Sequence, residues 1–137
     1  MTVVLNPYLN FMDNSREVLE FYKSVFGGEL TTSTFGEANA PVEEKFKDLL
    51  MHGDLVTDHL RIMAADSAPH AEVKPGNNIN LSLSGDDDAT LTKYFEGLSQ
   101  GGTVTQPLET APWGDKFGMF VDKFGINWLV NITAPAA

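Results

Sequence analysis

The stretch REVLEFYKSVFGG (16–28) decides the fold, because it returns later in the chain as TLTKYFEGLSQGG (90–102). In the first copy Val18, Phe21, Tyr22 and Val25 fall at helical spacing and make one apolar face, and Gly27-Gly28 ends it. In the second copy Leu91, Tyr94, Phe95 and Leu98 repeat that spacing, and Gly101-Gly102 repeats the stop. Outward from each helix the period changes to two. Before the first lies a strand over 3–11; after it lie strands at 29–35, 49–57 and 59–65, with a short helical turn within 42–48. Around the second helix, strands are expected at 78–84, 103–109, 117–122 and 126–132. The plan is therefore β-α-β-β-β, twice. An amphipathic helix on a mostly antiparallel sheet is an α+β architecture.

The repeat makes one domain of two units, at about 3–65 and 78–133. The segment DSAPHAEVKPGN (66–77), rich in turn formers, connects them. Asn14 with Glu17 has capping-box spacing before the first helix, and Asp86-Asp87-Asp88 suits the N-terminus of the second.

Composition narrows the function. The 137 residues carry 9 Lys+Arg against 19 Asp+Glu, a formal net charge of −10. A nucleic-acid partner needs basic patches, and an anionic membrane surface needs the same, so neither is expected. No leader pattern precedes Pro7, and no apolar run has the length of a membrane span, so a cytoplasmic location is expected. With 0 Cys there is no disulfide, thiolate ligand or thiol nucleophile. No G-x-S-x-G elbow marks a hydrolase.

Three segments carry a resemblance: PYLNFMDNSREVLEFYKSVFGGEL (7–30), the HGDL and IMAAD strands (52–55, 62–66), and PWGDKFGMFVDKFGINWLVNI (112–132). With them the chain resembles the PhnB-like branch of the vicinal-oxygen-chelate superfamily, the glyoxalase, bleomycin-resistance and dioxygenase group. The resemblance implies that the units form a curved, mostly antiparallel sheet, an incomplete barrel with its helices outside. It further implies a ligand in a cup between the halves and a homodimer. Enzymes of the superfamily hold a divalent metal on His, Gln or Glu side chains from the first and last strand of each unit. Carried onto this sequence, those four positions are Tyr8 (or Asn6 or Asn10 with the register slipped by two), Met63, Asn78 and Leu129. Met and Leu offer nothing to a hard cation, and phenols and amides are weak donors alone. No metal and no cofactor is therefore expected, and no glycine-rich cofactor loop of the methyltransferase kind is present.

The reading that follows is a metal-free protein binding a small hydrophobic or aromatic molecule. Related pockets sequester hydrophobic antibiotics by stacking them between aromatic residues, and an antibiotic or metabolite is the implied cargo. The candidate ligand-binding residues are Tyr8, Phe11, Phe35, His52, Met63, Asn78, Asn80, Trp113 and Trp128, which strand alternation aims in part into the cup. Two alternatives stand beside it. One is a glyoxalase-like lyase, isomerase or dioxygenase whose metal sits on His52 with Asp54 or Glu29. The other is a dimeric interaction module whose aromatic residues seal an interface.

Overall fold

The structure, a computed structural model, describes residues 2–135 and divides the chain into two compact units, one ending at Lys74 and one starting at Pro75. Unit 1 contains β1 (Tyr8–Phe11), α1 (Ser15–Phe26), β2 (Glu29–Thr34), a single 3-10 turn (Glu44–Phe46), β3 (Leu50–Val56) and β4 (Arg61–Asp66). Unit 2 contains β5 (Leu81–Gly85), α2 (Asp88–Leu98), β6 (Thr103–Thr110), β7 (Lys116–Val121) and β8 (Asn127–Ile132). The eight strands make two four-stranded sheets, ordered β1-β4-β3-β2 and β5-β8-β7-β6. In each sheet the first strand pairs parallel to the last, and the other pairings are antiparallel. Neither sheet closes into a barrel. The expected α+β plan of two βαβββ units is the one observed. Among the described residues no helix is long and apolar enough to cross a membrane.

α1 buries Val18, Leu19 and Tyr22 completely. Side chains of that size each contribute about 1.5–3 kcal/mol on leaving water. α2 buries Leu91, Phe95 and Leu98, and Leu91 and Phe95 share the i, i+4 spacing of Val18 and Tyr22. The two Gly-Gly stops are alike at their first glycine. Gly27 and Gly101 both take φ +75°, where a side chain is strained. A Cβ on Gly28 would collide with the carbonyl oxygen of Val56, and one on Gly102 with that of Val121. The first glycine of each pair turns the chain, and the second lets it pass against the end of a strand.

The helix starts differ. Asp87 caps α2 through its side chain, accepting from the backbone N–H of Thr90 at 3.1 Å. Asn14 makes no side-chain cap on α1, so the expected capping box is not formed. Instead Asp66, buried at the end of β4, accepts the N–H of Ser15 at 2.9 Å and that of Leu50 at 2.8 Å. A carboxylate forms a stronger bond to a backbone N–H than an amide does, and it complements the helix dipole. Asp66 therefore belongs to the strand and the core rather than to the polar connector.

Two strand starts also move. β1 begins at Tyr8, while Val3, Val4 and Leu5 are exposed and form no strand. Pro7 lacks the N–H that pairing requires. β5 begins at Leu81, and Asn78 and Asn80 lie exposed ahead of it. The Gly76-Asn77-Asn78 run favours a bend over extended pairing.

Candidate functional site

Each sheet has one face under its helix and a distal face turned away from it. In unit 1 the helix side carries Leu55, Ile62 and Ala64, all buried, and Gly53, where a Cβ would collide with Leu19 of α1. Side chains alternate along a strand, so His52, Asp54, Arg61 and Met63 belong to the distal face. Tyr8 pairs with Met63, Met63 with Asp54, and Asp54 with Thr31, so these four form one row across the sheet.

Tyr8 reaches from the edge strand over β4 to β3. Its hydroxyl lies 3.2 Å from Nδ1 of His52, and the rings are 5.7 Å apart and tilted by 41°. Burial disfavours the phenolate and raises the Tyr8 pKa above the ordinary 10.0. Arg61 grips Asp54 with two parallel bonds, Nε to Oδ1 at 2.9 Å and Nη2 to Oδ2 at 2.6 Å. Those hydrogen bonds hold the Asp54 carboxyl below the ordinary 3.8. A depressed pKa means the pair stabilises the fold above the unfolded value and stops doing so as pH falls through the folded one. The Asp54 carboxyl resonance should accordingly titrate below 3.8, and Arg61→Gln should return it toward 3.8. With Arg61 nearly half exposed, solvent screening keeps the pair's contribution to stability small. A carboxyl shift that ignores Arg61→Gln would remove this assignment.

Unit 2 repeats the geometry with other chemistry. Trp128, Val130 and Ile132 are buried on the helix side, and Trp128 donates its indole N–H to Asp122 at 2.9 Å. Ser82 pairs with Leu129, Leu129 with Met119, and Met119 with Gln106, which is the row equivalent to Tyr8–Met63–Asp54–Thr31. One step along β7, Phe117 stands where His52 stands in β3. Trp113, 62% exposed, packs edge-on to Phe117 with ring centroids 5.6 Å apart. Asn131 donates to Asp115 at 3.1 Å on the same side of the strand as Leu129.

The candidate residues thus sort into groups. Tyr8, His52 and Met63 come together on the distal face of unit 1, and Trp113 sits beside that of unit 2. Phe11, Phe35 and Trp128 are buried, and Phe35 lies in the turn after β2 with its ring 5.6 Å from that of His70. Asn78 and Asn80 precede β5. The residue across from Leu129 is Ser82, so Ser82 replaces Asn78 among the four positions where the superfamily places its donors. Tyr8, Met63, Ser82 and Leu129 do not fit a divalent cation. A thioether and an alkyl chain give it nothing, and a hydroxyl or a neutral phenol is a poor donor alone. The alternative set built on Asp54 also fits badly, because the Arg61 guanidinium already occupies that carboxylate. Among the described residues no group of three or more His, Cys, Asp or Glu could hold a metal. Arg61, Ser82 and Phe117 are not among the candidates the sequence suggests, although alternation from Met63, Leu129 and Met119 points to the strands that carry them.

Two βαβββ units with one sheet topology, each presenting a helix-free face, make a duplicated α+β fold. The chain belongs to the Glyoxalase/Bleomycin resistance protein/Dioxygenase superfamily, whose model matches residues 5–130. It is similar to the crystal structure of protein PA1353 from Pseudomonas aeruginosa, with 33% identity and a TM-score of 0.84 over 98% of this chain and 100% of that one. Protein YjdN of Escherichia coli K12 is 26% identical over 139 residues, covering 93% of this chain and 94% of that protein. A Bacillus cereus protein described as a putative 3-demethylubiquinone-9 3-methyltransferase, PhnB protein, shares the fold, with a TM-score of 0.76 at 22% identity over 96% of this chain and 100% of that one.

Proposed function

We propose that the protein binds a small planar, hydrophobic or aromatic molecule without a metal, and that its role is to sequester such a metabolite or antibiotic. The observation that supports this is the pairing of unsuitable donors with exposed aromatic rings. The superfamily's metal positions hold Tyr8, Met63, Ser82 and Leu129, while Tyr8 and Trp113 remain 44% and 62% exposed on or beside the same sheet faces. Large aromatic surface left in water is unfavourable unless a partner covers it, and a flat ligand covers it by stacking. Apolar residues exposed ahead of β1 and β5, among them Val3, Leu5 and Ile79, support a homodimer as part of this proposal.

Tryptophan fluorescence tests the reading, because the two tryptophans occupy opposite environments. A panel of planar aromatic compounds should quench the exposed Trp113. In Trp113→Phe, where only the buried Trp128 remains, the quenching should disappear. Quenching that persists in Trp113→Phe, or a wild type that no planar compound quenches, would refute the proposal.

A further inference from the structure

The backbone N–H of Val73 is given to sulfur. It lies 3.2 Å from Sδ of Met12, the residue that follows β1. The carbonyl oxygen of the same methionine accepts the Ala68 N–H at 3.0 Å, and that of Phe11 accepts the Ser67 N–H at 2.7 Å. Residues 67–73 of unit 1 are therefore tied to the end of β1 by backbone carbonyls at their start and by a thioether at their far end. The first tie belongs to the duplicated scaffold. Unit 2 makes its counterpart from the Thr133 N–H to the Gly85 carbonyl at 2.7 Å. The thioether does not belong to it, because Asp86 stands after β5 where Met12 stands after β1. Met12 is also 39% exposed and so open to a dissolved oxidant.

We propose that Met12 is a modification site, a thioether whose oxidation to the sulfoxide by a peroxide releases the Val73 end of this segment. In the reaction a sulfur lone pair attacks one oxygen of hydrogen peroxide and the O–O bond breaks. The sulfur keeps that oxygen, and the other leaves with both hydrogens as water. Sulfur loses two electrons and the peroxide gains them.

The N–H···S bond decides what the oxidation does. A thioether sulfur has two lone pairs, and one of them already faces the Val73 N–H. The oxidant meets the other, so one of the two sulfoxide epimers is formed in excess. Sulfur then carries partial positive charge, with the negative charge on the new oxygen. A positive sulfur does not accept from an N–H, and the oxygen lies on the side away from Val73. The bond is lost rather than passed to the oxygen. Met51 of β3 is the internal comparison, because it is 37% exposed and among the described residues no N–H is donated to its sulfur.

The test treats the whole chain with hydrogen peroxide and follows Met12 and Met51 by peptide mapping. The two classes of methionine sulfoxide reductase each take one epimer, so applied to the digested peptides they read the stereochemistry. The Met12 sulfoxide should be removed mainly by one class, and the Met51 sulfoxide by both. Amide exchange of Val73, measured by NMR, should be about fivefold faster after oxidation, the effect of about one net hydrogen bond. Met12→Leu keeps the volume and lacks the acceptor. Its Val73 amide should exchange fast before and after peroxide alike, while strand amides that match wild type confirm that the fold is kept. An even epimer ratio at Met12 overturns the proposal. So does a Met12 that stays reduced while Met51 is consumed, a Val73 amide that oxidation of wild type leaves unchanged, or a peroxide effect on Val73 that persists in Met12→Leu.

Discussion

Replacing Asp122 by alanine should lower the unfolding free energy by about 3 kcal/mol. Its carboxylate accepts the backbone N–H of Phe124 at 2.9 Å and that of Ile126 at 3.1 Å on Oδ1, and the Trp128 indole at 2.9 Å on Oδ2. Alanine takes the acceptor from all three, two at a part-buried turn and one on the buried Trp128, and each loss carries a desolvation cost. Asp122→Asn should lose less, because its amide oxygen can still serve the two backbone groups while its NH2 opposes the indole. Urea melts order the three proteins, and the emission of Trp128 should shift to the red in the alanine variant. Equal midpoints for wild type and Asp122→Ala would dispose of this role.

Asp66→Ala should follow, at about 2 kcal/mol. Asp66 joins the start of α1 to the start of β3 by accepting from Ser15 and Leu50, one donor on each carboxylate oxygen. Its removal frees both N–H groups and takes a negative charge from the helix N-terminus. Amide hydrogen exchange distinguishes this local role from a general weakening. The Ser15 and Leu50 amides should lose protection beyond the global change, while the amides of unit 2 should not. Uniform loss across the chain would contradict the assignment.

These two carboxylates show why the sequence was legible in some places and opaque in others. The helices could be read because their signal is local: Val18, Phe21, Tyr22 and Val25 mark one face, and Gly27-Gly28 marks its end. The bonds of Asp66 reach Ser15 across 51 residues, and no short-range pattern encodes that distance. Asn14 had the right local chemistry for a cap and lost to a carboxylate delivered by the tertiary fold. Within the candidate site the errors follow from strand register. Trp128 and Leu129 are neighbours in β8 and must point to opposite faces. The burial of Trp128 against α2 leaves Leu129 on the distal side. The alternation of NINLSLS (78–84) predicts a strand from Asn78, but pairing starts at Leu81 and puts Ser82 across from Leu129. A strand that begins later than its pattern suggests changes which residue meets which partner.

The duplicated scaffold also separates what the fold requires from what a ligand would require. Both units keep the buried helix stripe, the Gly-Gly turn and a glycine under the helix, at Gly53 and Gly118. They diverge on the distal faces. Unit 1 has Tyr8, His52 and the Asp54–Arg61 pair at the positions where unit 2 has Ser82, Phe117 and Met119, and unit 2 adds the Asn131–Asp115 hydrogen bond and Trp113 beside Phe117. Superfamily membership leaves the activity open, since one scaffold can host unrelated chemistries.

Metal content is the measurement that bears most directly on metal-free binding. Protein purified without chelator would be soaked separately in Zn²⁺, Ni²⁺, Mn²⁺ and Fe²⁺, desalted, and its bound metal counted per chain. The expected result is far less than one ion per chain in every sample, with quenching of Trp113 by planar compounds unchanged by added chelator. Near-stoichiometric retention of any one ion, removed by chelator together with ligand binding, would contradict the metal-free reading and favour a lyase or dioxygenase of the same superfamily.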